Sequence, residues 1–234
     1  MTGPAPPGSA VSRVLPWSYS SLQQYETCPR RVKIIKIDRR LKEPMTESMI
    51  WGNDVHQAME YAVKGTNALA PRFIAYAPIV AKLRGFKGLI ETERNFGLTA
   101  NFAPTSYWAP DAWVRGKIDV SLTSLTTKTA TIFDYKTGKP KPDVDQLNLF
   151  AAALLSEKPY LQRVHTGYIW LAHNKIDSET VEREHVPMIW QGFVQRVARM
   201  VHSAEKDDWP PRPSGLCKDY CPVGRANCEF CGKP

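Results

Sequence analysis

Two aspartates and a lysine carry the clearest chemistry in this 234-residue chain. Ile132-Phe133-Asp134-Tyr135-Lys136 reads as the end of a strand. Residues i and i+2 of a strand share a face, so Asp134 and Lys136 stand side by side. Gly116-Lys117-Ile118-Asp119-Val120 reads as the strand before it, with a carboxylate set between two aliphatic residues. Carboxylates brought together on neighbouring strands repel each other, and a divalent cation removes that penalty. A lysine beside them can orient or activate a water and offset charge building up on a phosphorus centre. The combination suits metal-assisted hydrolysis of a phosphodiester. Taken alone, so short a pattern also describes an ordinary surface hairpin with an Asp-Lys pair.

Cysteine placement is the second chemical signal. Cys217, Cys221, Cys228 and Cys231 crowd the C-terminal end with three, six and two residues between them, while Cys28 stands near the other end. An odd count, with no apolar leader at the N-terminus, argues against a secreted disulfide framework and for a bound metal. Four thiolates at short spacing can hold a structural Zn²⁺ by themselves. Neither a Cys-x3-Cys-x2-Cys run nor a Gly-rich nucleotide loop is present, which argues against a radical or redox enzyme.

The elements that must position these groups follow from periodicity. Residues 1–16, rich in Pro, Gly, Ser and Ala, are expected to form a flexible tail. Ser20, with Gln23 as its partner, is expected to cap a first helix. Helices are expected over 46–64, ended by Gly65, then over 71–84, 144–155 and 188–206. Strands are expected over 88–98, 112–122, 130–136, 164–172 and 180–186, the polar stretch 123–129 joining two of them as a hairpin. This order predicts a mixed α/β or α+β domain over 17–206, completed by the Cys-rich segment 207–234.

Composition agrees with a soluble globular protein: 43% hydrophobic and 23% charged residues. The longest apolar run, Leu149 to Leu155, is far shorter than the roughly 20 residues that cross a bilayer. A cytoplasmic protein without a membrane partner is expected. A formal charge of +8, from 31 Lys+Arg against 23 Asp+Glu, favours a polyanionic partner. The run from Arg30 to Lys42 concentrates that charge, with Arg30, Arg31, Lys33 and Lys36 as candidate phosphate contacts. Such runs are usually solvated faces, and the interleaved Val32, Ile34, Ile35 and Ile37 place part of this one inward. Trp17, Tyr19, Trp108 and Trp113 are candidate base-stacking residues, although scattered aromatics more often belong to a core.

Taken in order, five pieces form a set. They are Gly52-Asn53-Asp54-Val55-His56 in a helix, Glu93 in a strand, Gly116-x-x-Asp119, Asp134-Tyr135-Lys136, and Gln146-Leu147-Asn148-Leu149-Phe150 opening a helix. The chain thereby resembles the RecB-type branch of the PD-(D/E)XK nucleases, including at its opening, Tyr19-Ser20-Ser21-Leu22 through Tyr25-Glu26-Thr27-Cys28-Pro29. The resemblance spans about Trp17 to Cys228.

That resemblance implies a restriction-endonuclease-like core, a central mixed sheet flanked by helices, with the Cys-rich tail docked near the N-terminal helix. It implies that His56, Asp119 and Asp134 bind Mg²⁺ or Mn²⁺, with the Tyr135 carbonyl completing the shell. Lys136 would be the catalytic lysine, and Gln146 would contact the catalytic site or the nucleic acid. Glu93 is the implied strand acid, although Glu91 shares its strand parity. Phe150 replaces the family's usual Tyr and is read as packing. The similarity to iron–sulfur members of the branch, AddB and a CRISPR-adaptation nuclease family, implies a [4Fe-4S] cluster on Cys28, Cys217, Cys221 and Cys228. Cys231 is an alternative ligand and structural zinc an alternative metal. The implied activity is a DNA exonuclease in recombination, repair or phage DNA processing, with any helicase or recombination protein a separate partner. A catalytically quiet nucleic-acid-binding module is the alternative, and the retained Asp119, Asp134 and Lys136 speak against it.

Overall fold

The computed structural model describes residues 16–141, 143–173 and 175–232. Almost all of the expected N-terminal tail, residues 1–15, lies outside that range. The first helix, α1 (Tyr19–Thr27), is capped by Ser18 and not by Ser20. The Ser18 side chain accepts the Ser21 N–H at 3.3 Å, and Ser21 Oγ accepts the Ser18 N–H at 2.8 Å. Tyr19 is buried, and the helix starts two residues earlier than a Ser20 cap would place it.

After α1 come a short helix α2 (Pro29–Val32) and a π-helical turn, Lys33–Ile37. Helix α3 (Glu47–Lys64) begins at Thr46, whose side chain accepts the Met49 N–H, and ends at Gly65 with φ +77°, a left-handed residue that favours glycine. A 3₁₀ segment, Pro71–Tyr76, leads into α4 (Ala77–Arg84). Strands β1 (Leu89–Leu98), β2 (Pro104–Thr105), β3 (Val114–Ser124) and β4 (Thr129–Lys136) follow, then α5 (Asp145–Glu157), β5 (Arg163–Trp170), β6 (Lys175–Glu182), α6 (Val186–Lys206) and the short α7 (Leu216–Asp219).

The six strands form one mixed sheet in the order β2-β1-β3-β4-β5-β6. Only β4 and β5 run parallel, joined through α5, and every other pair is antiparallel. The predicted mixed sheet flanked by helices is what forms. The last strand differs from expectation, lying at Lys175–Glu182 where 180–186 was predicted. It is an edge strand with only Val181 buried, so it carries no apolar alternation to mark its start. Its register pairs Trp170 with Lys175. The two-residue β2 has no sequence signal at all.

Helices cover both faces of the sheet. On one side α5, apolar around nearly its whole circumference, packs with α1 and α6 against Ile118, Ala130, Ile132 and Val164. On the other side Val55, Met59 and Val63 of α3 and Val80 and Leu83 of α4 cover Val120, Leu122, Tyr135 and Ile169. Phe150 belongs to the first cluster, edge-on to Phe96 at 5.9 Å between ring centroids. Gly116 makes that contact possible, because a Cβ there would lie 2.3 Å from the Phe96 ring.

The segment after α1 meets the Cys-rich tail. Ile34 and Ile35 are buried against Val223, Cys228 and Cys231, while Ile37 remains 42% exposed. Arg30 pairs with Glu229 at 2.7 Å, and Lys33 with Asp207 at 2.6 Å. No helix among the described residues is long and apolar enough to cross a membrane.

Candidate active site

Glu93 and Asp119 sit where the sheet departs from regularity. Ile118 and Val120 are two residues apart and would share a face in an ideal strand. Instead Ile118 packs under α5 and Val120 under α3. The strand changes faces at Asp119. Across from it, bracketed by the pairs Thr92↔Val120 and Arg94↔Ile118, Glu93 has φ +49°. A non-glycine residue held in the left-handed region costs on the order of 1–3 kcal/mol and occurs preferentially at functional sites.

The β3–β4 ladder stops at Val120↔Phe133, just before the two aspartates. There the Asp119 carboxylate takes over and accepts the Tyr135 N–H at 2.8 Å. The same residue's carbonyl lies 3.1 Å from His56 Nε2 on α3. Nε2 therefore carries the hydrogen and donates it. The other ring nitrogen, Nδ1, lies 3.4 Å from Asp119 Oδ1 and 3.7 Å from Glu93 Oε1. Ligand atoms of His56, Glu93 and Asp119 all fall within 4.8 Å of one another.

A neutral His56 would aim the Nδ1 lone pair at two carboxylates, an arrangement that needs a positive charge between them. In the metal-free protein a proton supplies it. Burial opposes the imidazolium, but the neighbouring carboxylates of Asp119 and Glu93 outweigh burial and raise the His56 pKa to about 10. Glu93 is lowered in turn: burial alone would raise it, and contacts with His56 and Lys117 reverse that. Lys117 occupies Oε2 of Glu93, whereas Oε1 is buried without a hydrogen-bond partner. An orphaned carboxylate oxygen, a second carboxylate and an imidazole nitrogen with a fixed tautomer fit a divalent cation.

Asp134 and Lys136 project together from β4, as their spacing predicts, with Nζ 2.8 Å from Asp134 Oδ2. Gln146, in the first turn of α5, links them. Its amide donates to Asp134 Oδ1 at 2.8 Å, and its Oε1 accepts from Lys136 Nζ at 3.0 Å. Only one orientation of the amide satisfies both contacts. Asp134 is buried, and burial followed by repulsion from Asp119 pushes its pKa to about 7, with Lys136 partly opposing.

These groups share an open cleft of about 830 Å³, lined also by Ser20, Met49, Gln57, Glu60 and Lys117. The structure thus brings His56, Glu93, Asp119, Asp134, Lys136 and Gln146 together. It separates Glu91 from them, bonding it to Arg94 at 3.1 Å and Lys158 at 2.7 Å. The Tyr135 carbonyl, expected as a ligand, is engaged by His56. Lys117 was given no role in the sequence reading, although its place two residues before Asp119 on one strand face was the available signal.

Other candidates fall elsewhere. Trp17 and Tyr19 are core residues. Each of the four candidate phosphate contacts has a carboxylate partner: Glu229 for Arg30, Glu43 for Arg31 and Lys36, Asp207 and Asp38 for Lys33. Arg30 and Arg31 line a second cavity, about 80 Å³, whose wall includes all five cysteines. Cys28 reaches it from the junction of α1 and α2, and the others from the tail. Within it burial, followed by hydrogen bonding and repulsion from Cys221 and repulsion from Cys228, pushes the Cys231 thiol up to about 12.

Residues 16–228 match the family described as the PD-(D/E)XK nuclease superfamily. Among solved structures, a "Putative exonuclease" from Eubacterium rectale is similar over 88% of this chain and 86% of its own, with TM-score 0.52 and 12% identity. SSO0001 is similar over 92% of this chain and 87% of its own, with TM-score 0.44 and 15% identity. No curated protein matches the chain.

Proposed function

The chain belongs to the PD-(D/E)XK nuclease superfamily, and from that premise we propose that it is a divalent-metal-dependent deoxyribonuclease, an exonuclease that degrades DNA from its ends. The observation that carries this reading is the unpartnered Glu93 Oε1, aimed with Asp119 and His56 Nδ1 at one point beside the Asp134–Lys136–Gln146 triangle. A cation held there would supply positive charge to the scissile phosphate and acidity to water.

The chain's own residues do the rest. Asp119 and His56 are anchored to the Tyr135 backbone, so their ligand atoms are aimed before any metal arrives. Gln146 and Asp134 hold the Lys136 ammonium at the cleft wall, where it can donate to a phosphate oxygen or to the attacking water. Burial of Asp119 and Asp134 keeps bulk water from screening these charges.

We read the cysteine cavity as the seat of a [4Fe-4S] cluster that fastens the tail to the N-terminal helices. Five thiols lining one small cavity between the N-terminal helices and the tail support this. Anaerobic purification with absorbance, iron, sulfide and zinc analysis tests it, and one zinc without iron overturns it. The exonuclease reading, the assignment to recombination, repair or phage DNA processing and a separate helicase partner rest on the sequence resemblance and on the neighbour's printed name. Degradation of linear DNA with 5′- or 3′-blocked ends in Mn²⁺, by wild type and by Asp134→Asn, tests the activity. Wild type degrades unblocked linear DNA and Asp134→Asn does not. Wild type inert on every substrate overturns the nuclease reading.

A further inference from the structure

Trp108 is the most solvent-exposed large hydrophobic side chain among the described residues, at 78%. A tryptophan so exposed forgoes one of the largest available burial gains, so its surroundings are informative. It stands edge-on to Tyr107, with ring centroids 4.8 Å apart. The guanidinium of Arg115 lies under both rings, 5.6 Å from the Trp108 centroid and 5.8 Å from that of Tyr107. Arg115 is fixed by a hydrogen bond to the Ala109 carbonyl at 3.0 Å, and its own N–H donates to Trp17 O at 2.8 Å. Among the described residues no carboxylate pairs with Arg115, and its buried Nε has no hydrogen-bond partner. The one acid of the 99–113 loop, Asp111, accepts from Thr105 at 3.0 Å.

The position of this cluster gives it direction. Arg115 and Lys117 stand two residues apart on β3, before the strand changes faces at Asp119, and share a face. Asp119 belongs to the cation-binding group and Lys117 lines the same cleft. Arg115 therefore lies about 13 Å along the strand from Asp119, four residues at the usual rise. Gly97, paired with Arg115 on β1, is overlaid by the Thr105 and Ser106 carbonyls, which brings the loop bearing both aromatics onto this face. Arg115, without a carboxylate partner among the described residues, thus stands between the cleft and an exposed aromatic platform. Free bases stack on such a ring whatever their sequence, and the guanidinium beneath it meets a phosphate.

We propose that Tyr107, Trp108 and Arg115 form a binding site for single-stranded nucleic acid, holding the strand whose terminus enters the cleft. The proposal takes the strand's direction from the nuclease reading, but binding at this site does not require hydrolysis. A short oligo(dT) labelled with a fluorophore, titrated in EDTA, measures it on wild type, Trp108→Ala and Trp108→Phe. Trp108→Ala weakens binding at least roughly fivefold, the low end for loss of one stacked base, and Trp108→Phe restores most of it. A relaxed, covalently closed circular duplex, with no free end and no loop, shows no such difference between the variants. Equal oligo(dT) affinity of Trp108→Ala and wild type overturns the proposal, as does an equal loss on the closed duplex. Because cleavage is absent from this measurement, an inert wild type in Mn²⁺ would remove the nuclease reading and leave this result standing.

Discussion

Nε2 of His56 lies 3.1 Å from the Tyr135 carbonyl oxygen, and that contact decides which ring nitrogen faces Glu93 and Asp119. Because the same Tyr135 backbone donates its N–H to Asp119, a single peptide residue orients two candidate ligands from two different elements. The consequences can be measured.

Glu93→Gln and Asp119→Asn each lower Mn²⁺ affinity at least roughly tenfold, as expected for damage at or next to a metal ligand. Glu91→Gln leaves it within about twofold, because its partners are Arg94 and Lys158. Calorimetric or paramagnetic Mn²⁺ titration separates the two glutamates. A larger loss from the Glu91 variant would refute the assignment.

Lys136→Met lowers turnover roughly 10²–10³-fold, the scale of one lost donor to a transition state, with little change in DNA binding. Gln146→Ala lowers turnover less, because Asp134 still restrains the ammonium. Single-turnover cleavage, compared with binding in Ca²⁺, checks both.

Without metal, the site makes the fold more sensitive to alkali. Asp134 is raised from 3.8 to about 7 and His56 from 6.5 to about 10, so the folded state binds more protons than the unfolded chain across both windows. Their contribution is fully present below the ordinary values, declines as pH rises from about 4 to 7 for Asp134 and is lost from about 6.5 to 10 for His56. A bound cation displaces these protons. The increase in Tm on adding Mn²⁺ therefore grows from pH 6 to pH 8, with proton release seen by calorimetry in buffers of different ionisation enthalpy. A Tm increase that shrinks over that range contradicts the site.

Gly116→Ala forces the Phe96 ring away from its place against Phe150. The cost is about 1–3 kcal/mol, the usual range for overpacking, and thermal unfolding reports it.

Cys228→Ser loosens the tail more than the sheet. The tail's apolar anchor is small, Val223, Cys228 and Cys231 against Ile34 and Ile35. Limited proteolysis cuts the variant after Trp209 well before it cuts β3 or β4, whereas simultaneous loss of both regions would show that the tail is integral to the core.

The sequence by itself determined much of this protein. Helical spacing, the Gly65 stop and strand parity at Asp134 and Lys136 are local properties, and each appears in the structure where its period places it. The five motifs in order also pointed to the family, because their order is itself a sequence property. Tertiary structure decided the rest. Glu91 and Glu93 have the same parity, and only the face change at Asp119 opposite the left-handed Glu93 turns one toward His56. The basic run looked like a nucleic-acid surface until folding gave each of Arg30, Arg31, Lys33 and Lys36 a carboxylate, three of them through Glu43, Asp38 and Asp207 and one through Glu229. Arg115, unremarkable in the chain, is a cation that folding leaves without a carboxylate partner among the described residues. Charge is read from sequence, but its neutralisation depends on distances between residues far apart in the chain, and those exist only once the sheet, the helices and the tail have met.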